Sequence, residues 1–310
     1  MKFRLSHSLR KEAASNQQLN KKYSDHEGPI LIVRRGELRP LQVRPTFVEY
    51  IRQIWSRRYF IWADARSKAL RTTRDYRLWK LWLVINPVLN VVFYGFMFGI
   101  LFKTSHGVPN FIGFLFLGTT FMPMMSGLLA QGTSLIPSNR AMIRAFNFPT
   151  ASLAISQTLR AAIDNLIPAA VAIVIALLLQ WHTPPSWKLV LVIPLFVLIH
   201  IFGCGLLFFT GRICAQISDI KAIVPLLTQA WFFLSGVMFT MDRFNHLPMI
   251  KQIMTYNPAY QFLTAVRNVS IYDTLPNWQD WASLSIWSFG TFILGFLFFW
   301  RAEHKYVRLT

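Results

Sequence analysis

Six long stretches without a charged residue constrain this chain more than any other feature. They cover residues 81–102, 104–139, 165–187, 189–211, 222–241 and 281–300. A bilayer core of roughly 30 Å takes about 20 helical residues to cross, and a backbone inside it must satisfy its own hydrogen bonds. The stretches therefore predict an all-α polytopic membrane protein with six transmembrane helices. We expect these helices at about 81–102, 111–136, 160–181, 188–211, 222–241 and 281–300.

Positive charge is unevenly spread along the chain and sets its predicted orientation. The net charge is +19, and residues 1–80 hold 19 of the 32 Lys and Arg residues. With the N-terminus inside, the predicted internal segments carry 27 basic residues and the external ones five. Basic loops are typical of the cytosolic side of a membrane protein. We therefore attribute the positive charge to membrane orientation rather than to nucleic-acid binding. We expect a multi-pass protein of the plasma (inner) membrane with both termini cytosolic.

The chain divides into three predicted regions. Residues 1–45 are polar and mixed in charge, which predicts a disordered or irregular cytosolic extension. Residues 46–80 combine an amphipathic interface helix with a strongly basic segment close to the membrane. Residues 81–310 form the predicted six-helix transmembrane domain.

The interface helix is predicted from apolar residues that recur every three or four positions. These residues are Phe47, Tyr50, Ile51, Ile54, Trp55, Tyr59 and Trp62. Thr46 is the expected N-cap, and Glu49 would complete a capping box with it. A helix that is aromatic on one side and basic on the other suits a membrane surface. The alternative, a helix packed on a soluble domain, lacks such a domain in this sequence.

The loop between the fifth and sixth predicted helices is long and unusually apolar for an external segment. It contains Leu247, Met249, Ile250, Ile253 and Met254 before an Asn257-Pro258 break, and a second apolar run after the break. Proline and the residue before it interrupt helices. We expect two short re-entrant helices that are broken at Asn257-Pro258 and dip partly into the outer leaflet.

The internal loop at residues 137–149 is a candidate docking surface. A short amphipathic helix there would present Arg140 and Arg144 on one face, because residues four apart are neighbours on a helix. The pair would suit an acidic groove on a partner. An ordinary basic loop on the cytosolic side is the alternative.

Sequence signatures of catalysis are absent. No GxxxxGK[ST], HExxH, GxSxG or CxxC pattern occurs, so we expect no catalytic residue, no metal site and no nucleotide hydrolysis by this chain alone. Arg160 and Asp164 predict a local ion pair, with a link to a cytosolic partner or gate as the alternative. His200 is expected to bond a neighbouring helix, and Cys204 and Cys214 are expected to be packing residues.

Several short patterns occur in an order that resembles one transporter family. The matching residues are Trp82 with Pro87, then Asn139, Met142-Ile143 and Phe148-Pro149, then Ser218-Asp219-Ile220, and finally Asn257-Pro258, Tyr260 and Arg267. Together they cover most of residues 47–300. They resemble the permease subunit of type-2 ABC exporters, in the branch that exports lipid-linked O-antigen, teichoic acid and related surface glycans. The chain departs from that pattern at Trp79, where a glycine is usual, and at Gly236, where a proline is usual.

The resemblance implies an ATP-driven exporter of lipid-linked polysaccharide or teichoic acid-type polymer. Two copies of the chain would form the channel, and two copies of a separate ABC ATPase would carry ATP and Mg, so this chain would bind no cofactor. The implied sites are a coupling helix (Asn139, Arg140, Met142, Ile143, Arg144, Phe148, Pro149), phosphate contacts (Arg66, Arg71, Arg74) and an outer gate (Asn257, Pro258, Tyr260, Arg267).

Two other functions remain open at this level. The first is a type-2 ABC permease for small lipids or drugs, whose members often lack both the strong interface helix and the external Asn-Pro segment. The second is a membrane enzyme that builds glycans on a lipid carrier. Such an enzyme needs acidic residues, and the external candidates are Asp242, Asp273 and Asp280.

Overall fold

The computed structural model describes residues 46–69, 79–101, 108, 110–145, 149–180, 182, 184–241, 246–304 and 306. These residues form helices and connecting turns, with no β-strand among them. The predicted N-terminal extension, Arg71, Arg74 and Phe148 lie outside the described residues.

The described helices follow one another in chain order. They are α1 Phe47–Ser56, α2 Arg58–Lys68, α3 Trp79–Tyr94, α4 Phe111–Gly132, α5 Leu135–Ser138, α6 Arg140–Ala145, α7 Ala151–Leu178, α8 Val192–Gln216, α9 Ile220–Leu234, α10 Pro248–Tyr256, α11 Pro258–Ser270 and α12 Trp278–Trp300. A π-helical segment, Gly95–Leu101, continues α3, and a 3₁₀ turn, Trp187–Leu191, leads into α8.

Four of the described helical segments are long and apolar enough to cross a membrane. They are Phe111–Gly132, Ala151–Leu178, Trp187–Gln216 and Trp278–Trp300. Two further apolar helices, Val88–Leu101 and Ile220–Leu234, are shorter and coincide with the first and fifth predicted spans. The described part of the chain is therefore all-helical, and the protein is a multi-pass membrane protein.

Helix α8 lies at the centre of the bundle, packed chiefly against α12 and α4, while α7 packs on α4 and α2. Two buried apolar clusters fill the interior. One is built around Phe121, Phe202 and Phe262, and the other around Leu128, Phe208 and Phe299. Tyr50 from α1 belongs to the second cluster, so the interface helix is part of the packed bundle.

Glycines bring α8 and α12 into backbone contact. A Cβ atom added to Gly205 would lie 2.5 Å from the carbonyl carbon of Thr291, and one added to Gly295 would lie 2.5 Å from the carbonyl oxygen of Gly205. Small residues at such crossings let membrane helices approach closely. The Ser288 hydroxyl also donates to the Leu198 carbonyl at 2.9 Å across the same contact.

Helix α9 ends at Leu234, seven residues before the predicted end of the fifth span. Gly236 adopts a φ of 62°, the left-handed region that residues with a Cβ rarely occupy. A Cβ atom at Gly236 would also lie only 2.8 Å from Cδ2 of Tyr260. The glycine that departs from the family pattern therefore ends the helix and makes room for the Tyr260 ring.

Two polar pairs lie in or near the spans. Arg160 and Asp164 form the predicted ion pair at 3.4 Å. His200 Nε2 lies 3.1 Å from the Asn165 amide of α7, and His200 Nδ1 lies 2.8 Å from the Phe196 carbonyl. The prediction that His200 bonds a neighbouring helix is confirmed.

Candidate functional site

The interface helix, residues 47–68, consists of α1 and α2 separated by a turn at Arg57. Thr46 occupies the N-cap position, but its side chain makes no cap hydrogen bond, so the predicted capping box with Glu49 is wrong. Phe47 instead anchors the start of the helix on α12, where its ring lies edge-on to Trp300 at 5.3 Å between ring centroids.

The aromatic and aliphatic residues of the interface helix divide into two faces rather than the single face predicted. Tyr50, which is 1% exposed, and Ile54 pack against the bundle with Ile61 and Ala65. Ile51, Trp55, Tyr59 and Trp62 point away from it and are 45–73% exposed. Neighbours such as Tyr50 and Ile51 face different sides because adjacent residues lie about 100° apart on a helix. The apolar residues therefore form two neighbouring stripes, one packed against the bundle and one exposed.

The predicted coupling segment forms two short helices, α5 and α6, with Asn139 between them. The Asn139 amide donates to the Leu135 carbonyl at 2.7 Å. Ile143 is buried, Met142 is half-buried, and Arg140 and Arg144 are both exposed. Pro149, which precedes the N-cap of α7, is buried. The segment thus carries an exposed pair of guanidinium groups on a helix anchored through Ile143.

A carboxylate that was not among the predicted site residues joins this segment to the interface helix. Glu303, three residues beyond the end of α12, accepts a hydrogen bond from the Tyr50 hydroxyl at 2.7 Å. Its carboxylate also accepts from the Thr150 backbone N–H at 2.7 Å and from the Thr150 hydroxyl at 2.6 Å. The Tyr50 hydroxyl in turn accepts from the Ala151 N–H at 3.1 Å. We call Glu303, Tyr50 and Thr150 the Glu303 cluster.

Burial governs the ionisation of the Glu303 cluster. It raises the pKa of Glu303 above the ordinary value, although hydrogen bonds from Thr150 and Tyr50 act in the opposite direction. The pKa of Tyr50 is raised well above its ordinary value by burial and by the neighbouring Glu303 carboxylate. Tyr50 therefore remains a neutral hydroxyl that donates to Glu303.

A second carboxylate attaches the other half of the interface helix to α7. Asp64 accepts a hydrogen bond from the Ser156 hydroxyl at 2.6 Å and forms an ion pair with Lys68 at 2.7 Å. Arg66, a predicted phosphate contact, is exposed near the end of α2. The interface helix is thus held at two points, near Tyr50 and at Asp64.

Helices α10 and α11, which we call the outer hairpin after their predicted position, are separated at Asn257-Pro258 as predicted. Asn257 is the N-cap of α11, and its side-chain oxygen accepts from the Ala259 N–H at 3.0 Å and from the Trp231 indole at 2.9 Å. Its amide donates to the Leu234 carbonyl and the Ser235 hydroxyl, both at 3.1 Å. Pro258 occupies the first helical position, where its missing N–H carries no cost. All four hydrogen-bonding capacities of Asn257 are used.

Arg267 is buried, and within the part of the chain that the structure describes it donates hydrogen bonds to backbone carbonyls. Its guanidinium donates to the carbonyls of Phe114, Gly236 and Val237 at 2.9–3.3 Å and lies 3.4 Å from the Phe114 ring centroid. Among the described residues, no carboxylate pairs with it. Tyr260 and Arg267 line a common cavity of about 400 Å³.

The outer hairpin and the Glu303 cluster lie at opposite ends of the bundle. Helix α7 begins next to the cluster at Thr150 and ends near Gln180, whose amide donates to the Ile271 carbonyl just beyond α11 at 3.1 Å. The Asn110 amide reaches the same end, donating to Gln180 at 3.2 Å. The predicted coupling helix and outer gate are therefore separated by the length of α7.

Comparison with known proteins places the chain in a family. The profile of the ABC-2 type transporter family matches residues 59–271, which takes in α2 through α11. The chain belongs to the ABC-2 type transporter family. This family consists of membrane-embedded permeases, the transport subunits that work with an ABC ATPase.

Two chains similar to this one are named as O-antigen export system permeases. The O-antigen export system permease protein RfbA of Myxococcus xanthus is 23% identical over 244 residues, which cover 77% of this chain and 90% of the relative. A Klebsiella pneumoniae protein of the same name is 23% identical over 234 residues, which cover 74% of this chain and 86% of the relative. The predicted resemblance to this permease family is confirmed.

Proposed function

We propose that this ABC-2 permease exports lipid-linked cell-surface polysaccharide of the O-antigen type, using ATP hydrolysed by a separate ABC ATPase. The similarity to two O-antigen export permeases over about three quarters of the chain supports the polymer as cargo. A teichoic acid-type polymer belongs to the same proposal, because it too is a surface polymer built on a lipid carrier.

The exposed Arg140 and Arg144 pair is the observation on which the ATPase partnership rests. The two guanidinium groups project from α6, which Ile143 anchors to the bundle, at the end where the interface helix is attached. An acidic groove on an ATPase would bind this helix through charge-assisted hydrogen bonds. Asn139, Met142, Phe148 and Pro149 would complete this coupling helix. We propose two permease and two ATPase chains, with ATP and Mg bound by the ATPases.

The interface helix would frame the cytosolic entrance for the substrate. Its exposed Trp55, Tyr59 and Trp62 side chains suit the headgroup region of a bilayer, where amphipathic aromatic rings accumulate. The exposed Arg66 would contact the phosphates of a lipid-linked glycan. We propose the same role for Arg71 and Arg74, which lie outside the described residues.

We further propose six spans, an inner-membrane location and cytosolic termini. The α-helix Trp79–Tyr94 is about 24 Å long at 1.5 Å per residue, and the π-helical Gly95–Leu101 would extend it across the bilayer core. Helix α9, together with the non-helical residues up to Met241, would form the fifth span next to the re-entrant outer hairpin. Exposed apolar residues on α3 and α9, such as Val92 and Leu226, would meet a second copy in a homodimer.

At the outer end, Asn257, Pro258, Tyr260 and Arg267 would form the gate through which the polymer leaves. Asn257 and Arg267 both bind backbone carbonyls at the end of α9. A movement of α9 would therefore be passed directly to the outer hairpin.

Co-purification in mild detergent tests the partnership. We expect a stoichiometric ABC ATPase with the parent chain and its loss in the double variant Arg140→Glu, Arg144→Glu. The matched control is Arg140→Lys, Arg144→Lys, which keeps both charges and should keep the ATPase. Retention of the ATPase by the Glu variant would show that α6 is not the coupling helix.

The cargo is tested separately in cells that lack this chain. We expect lipid-linked polysaccharide to accumulate on the cytosolic leaflet, detectable by mass spectrometry of extracted lipids and by its inaccessibility to external glycosidase. Accumulation of a small lipid would favour the small-lipid permease, and loss of polymer synthesis itself would favour a glycan-building enzyme.

A further inference from the structure

The Glu303 carboxylate connects three parts of the chain that are distant in sequence. It lies 253 residues from Tyr50 on the interface helix and 153 residues from Thr150 at the start of α7. Both carboxylate oxygens are used, because Oε1 accepts from the Thr150 N–H and Oε2 from the hydroxyls of Tyr50 and Thr150. Hydrogen bonds to a carboxylate are the stronger kind, so this contact is well suited to transmit a displacement.

We infer that Glu303 is a positioning residue that makes the interface helix move together with the coupling helix when the partner ATPase binds nucleotide. The inference rests on the proposed function, because it presupposes an ATPase docked on α6. In this route, Thr150 moves with the N-terminus of α7. Glu303 moves with Thr150 because it accepts two hydrogen bonds from it, and Tyr50 moves with Glu303 through its hydroxyl.

The chain order supports this route. Helices α6 and α7 are consecutive, and Thr150 is the N-cap of α7. A displacement of α6 therefore acts on the N-terminal end of α7, where Ile143 shares a buried cluster with Ala151 and where Thr150 lies. Glu303 binds there through both the backbone N–H and the hydroxyl of Thr150, so the carboxylate must follow the N-terminus of α7.

Tyr50 gives the interface helix its own connection to the same point. Its hydroxyl donates to Glu303 and accepts from the Ala151 N–H, while its ring is buried beside Phe296, with 6.0 Å between ring centroids. Removal of the hydroxyl alone would break both hydrogen bonds and leave the ring packing. The Asp64–Ser156 bond would keep α2 attached to α7, so the interface helix would stay folded on the bundle.

Distance measurements on the purified permease–ATPase complex test the inference without requiring the polymer. Spin labels on Cys substituted for the exposed Ser56 would report the interface helix, and labels on Cys at the exposed Ala141 would report the coupling helix. Electron–electron resonance distances between the two copies would be compared without nucleotide and with ATP, Mg and vanadate. In the parent, we expect nucleotide to shift both distances.

Three variants and a fourth, control variant separate transmission from folding. Tyr50→Phe should keep the nucleotide-driven shift at Ala141 and lose the shift at Ser56. Glu303→Ala leaves the hydrogen bond from the Ala151 N–H to Tyr50 in place, so it should keep the shift at Ala141 and reduce the shift at Ser56. Glu303→Gln should retain both shifts, because its amide can still accept from the Thr150 N–H and bond the two hydroxyls. Glu49→Ala, which removes an exposed carboxylate from the interface helix, is the matched charge control and should behave as the parent.

The outcomes distinguish this inference from the proposed function. The role of Glu303 is overturned if the Ser56 distance still shifts in Tyr50→Phe, or if it does not shift in the parent while the Ala141 distance does. Neither result would contradict the proposed export function. Absence of any ATPase complex, or of a nucleotide-driven shift at Ala141 in the parent, overturns the proposed function itself.

Discussion

Asn257 offers the sharpest test of the outer end of the bundle. Its side chain makes four hydrogen bonds, accepting from Ala259 and Trp231 and donating to Leu234 and Ser235. It is also nearly inaccessible, at 9% exposed. Asn257→Ala would remove all four bonds at once and leave four polar partners in an environment poor in water.

The expected loss follows from two contributions. Loss of a helix N-cap costs about 1 kcal/mol, and hydrogen bonds between helices of membrane proteins contribute about 0.6 kcal/mol each. With one cap and three such bonds, the free energy of unfolding should fall by roughly 3 kcal/mol. At about 2 °C per kcal/mol, the melting temperature should fall by about 6 °C.

The assay is thermal unfolding of the purified permease in detergent, followed by intrinsic fluorescence. Asn257→Asp keeps the two accepted bonds but turns a second oxygen towards the Leu234 carbonyl, so we expect a loss of about 2 kcal/mol. Asn268→Ala is the matched control, because the Asn268 side chain lies on the same hairpin and bonds no other described residue. It should melt within about 1 °C of the parent.

A double-mutant cycle with Trp231→Phe decides whether the bond itself carries the effect. The indole N–H donates to Asn257 at 2.9 Å, so the two substitutions should couple by about 0.5–1.5 kcal/mol. The reasoning is refuted if Asn257→Ala melts with the parent, or if the two substitutions are additive within the error of the measurement.

Three further predictions concern other parts of the bundle. Arg267→Lys should destabilise by about 2 kcal/mol in the same melting assay, because a lysine ammonium cannot reproduce three divergent bonds to carbonyls; equal melting would contradict the role assigned to the guanidinium. Gly205→Ala should reduce the yield of folded protein in size-exclusion chromatography, since its Cβ would lie 2.5 Å from the Thr291 backbone, and a normal yield would show that α8 and α12 can separate. Because burial raises the pKa of Glu303, the folded protein binds this proton more tightly than the unfolded chain. The contribution of protonated Glu303 to stability is fully present below the pKa of about 4.3 that it has in the unfolded chain. This contribution is lost as pH rises through the higher pKa that it has in the folded protein. The melting temperature of the parent minus that of Glu303→Gln should therefore fall as pH rises through this range. A difference that does not change with pH would contradict the raised pKa of Glu303.

The membrane-crossing segments were predictable because length and the absence of charge determine them almost alone. The helix over residues 111–132 agrees with a predicted span of 111–136, and Trp278–Trp300 contains the predicted 281–300. The end of α9 at Leu234 was not predictable in the same way. Residues 235–241 remain uncharged and apolar, and only the backbone conformation of Gly236 reveals the break.

The interface helix and coupling segment were predictable as elements but not in their contacts. Tyr50 and Ile51 are both apolar at adjacent positions, and nothing in their spacing indicates which one faces protein. Glu303 was missed altogether, although one signal was present: it is the only acidic residue after Asp280 and lies among Arg301, Lys305 and Arg308. A lone carboxylate in an otherwise basic terminal segment is a candidate for a specific partner.

The hydrogen bonding of the buried Arg267 to backbone carbonyls has a physical explanation in the early end of α9. The last carbonyls of a helix lack partners within it, and buried carbonyls must find donors elsewhere. The Leu234 carbonyl is bonded by Asn257, and those of Gly236 and Val237 are bonded by Arg267. The guanidinium donates from three separate nitrogens to these two carbonyls and to that of Phe114, whereas all donors of a lysine or an amide lie on one nitrogen. The outer hairpin therefore cannot leave α9 unless water enters to satisfy those carbonyls, and the two should move as one unit.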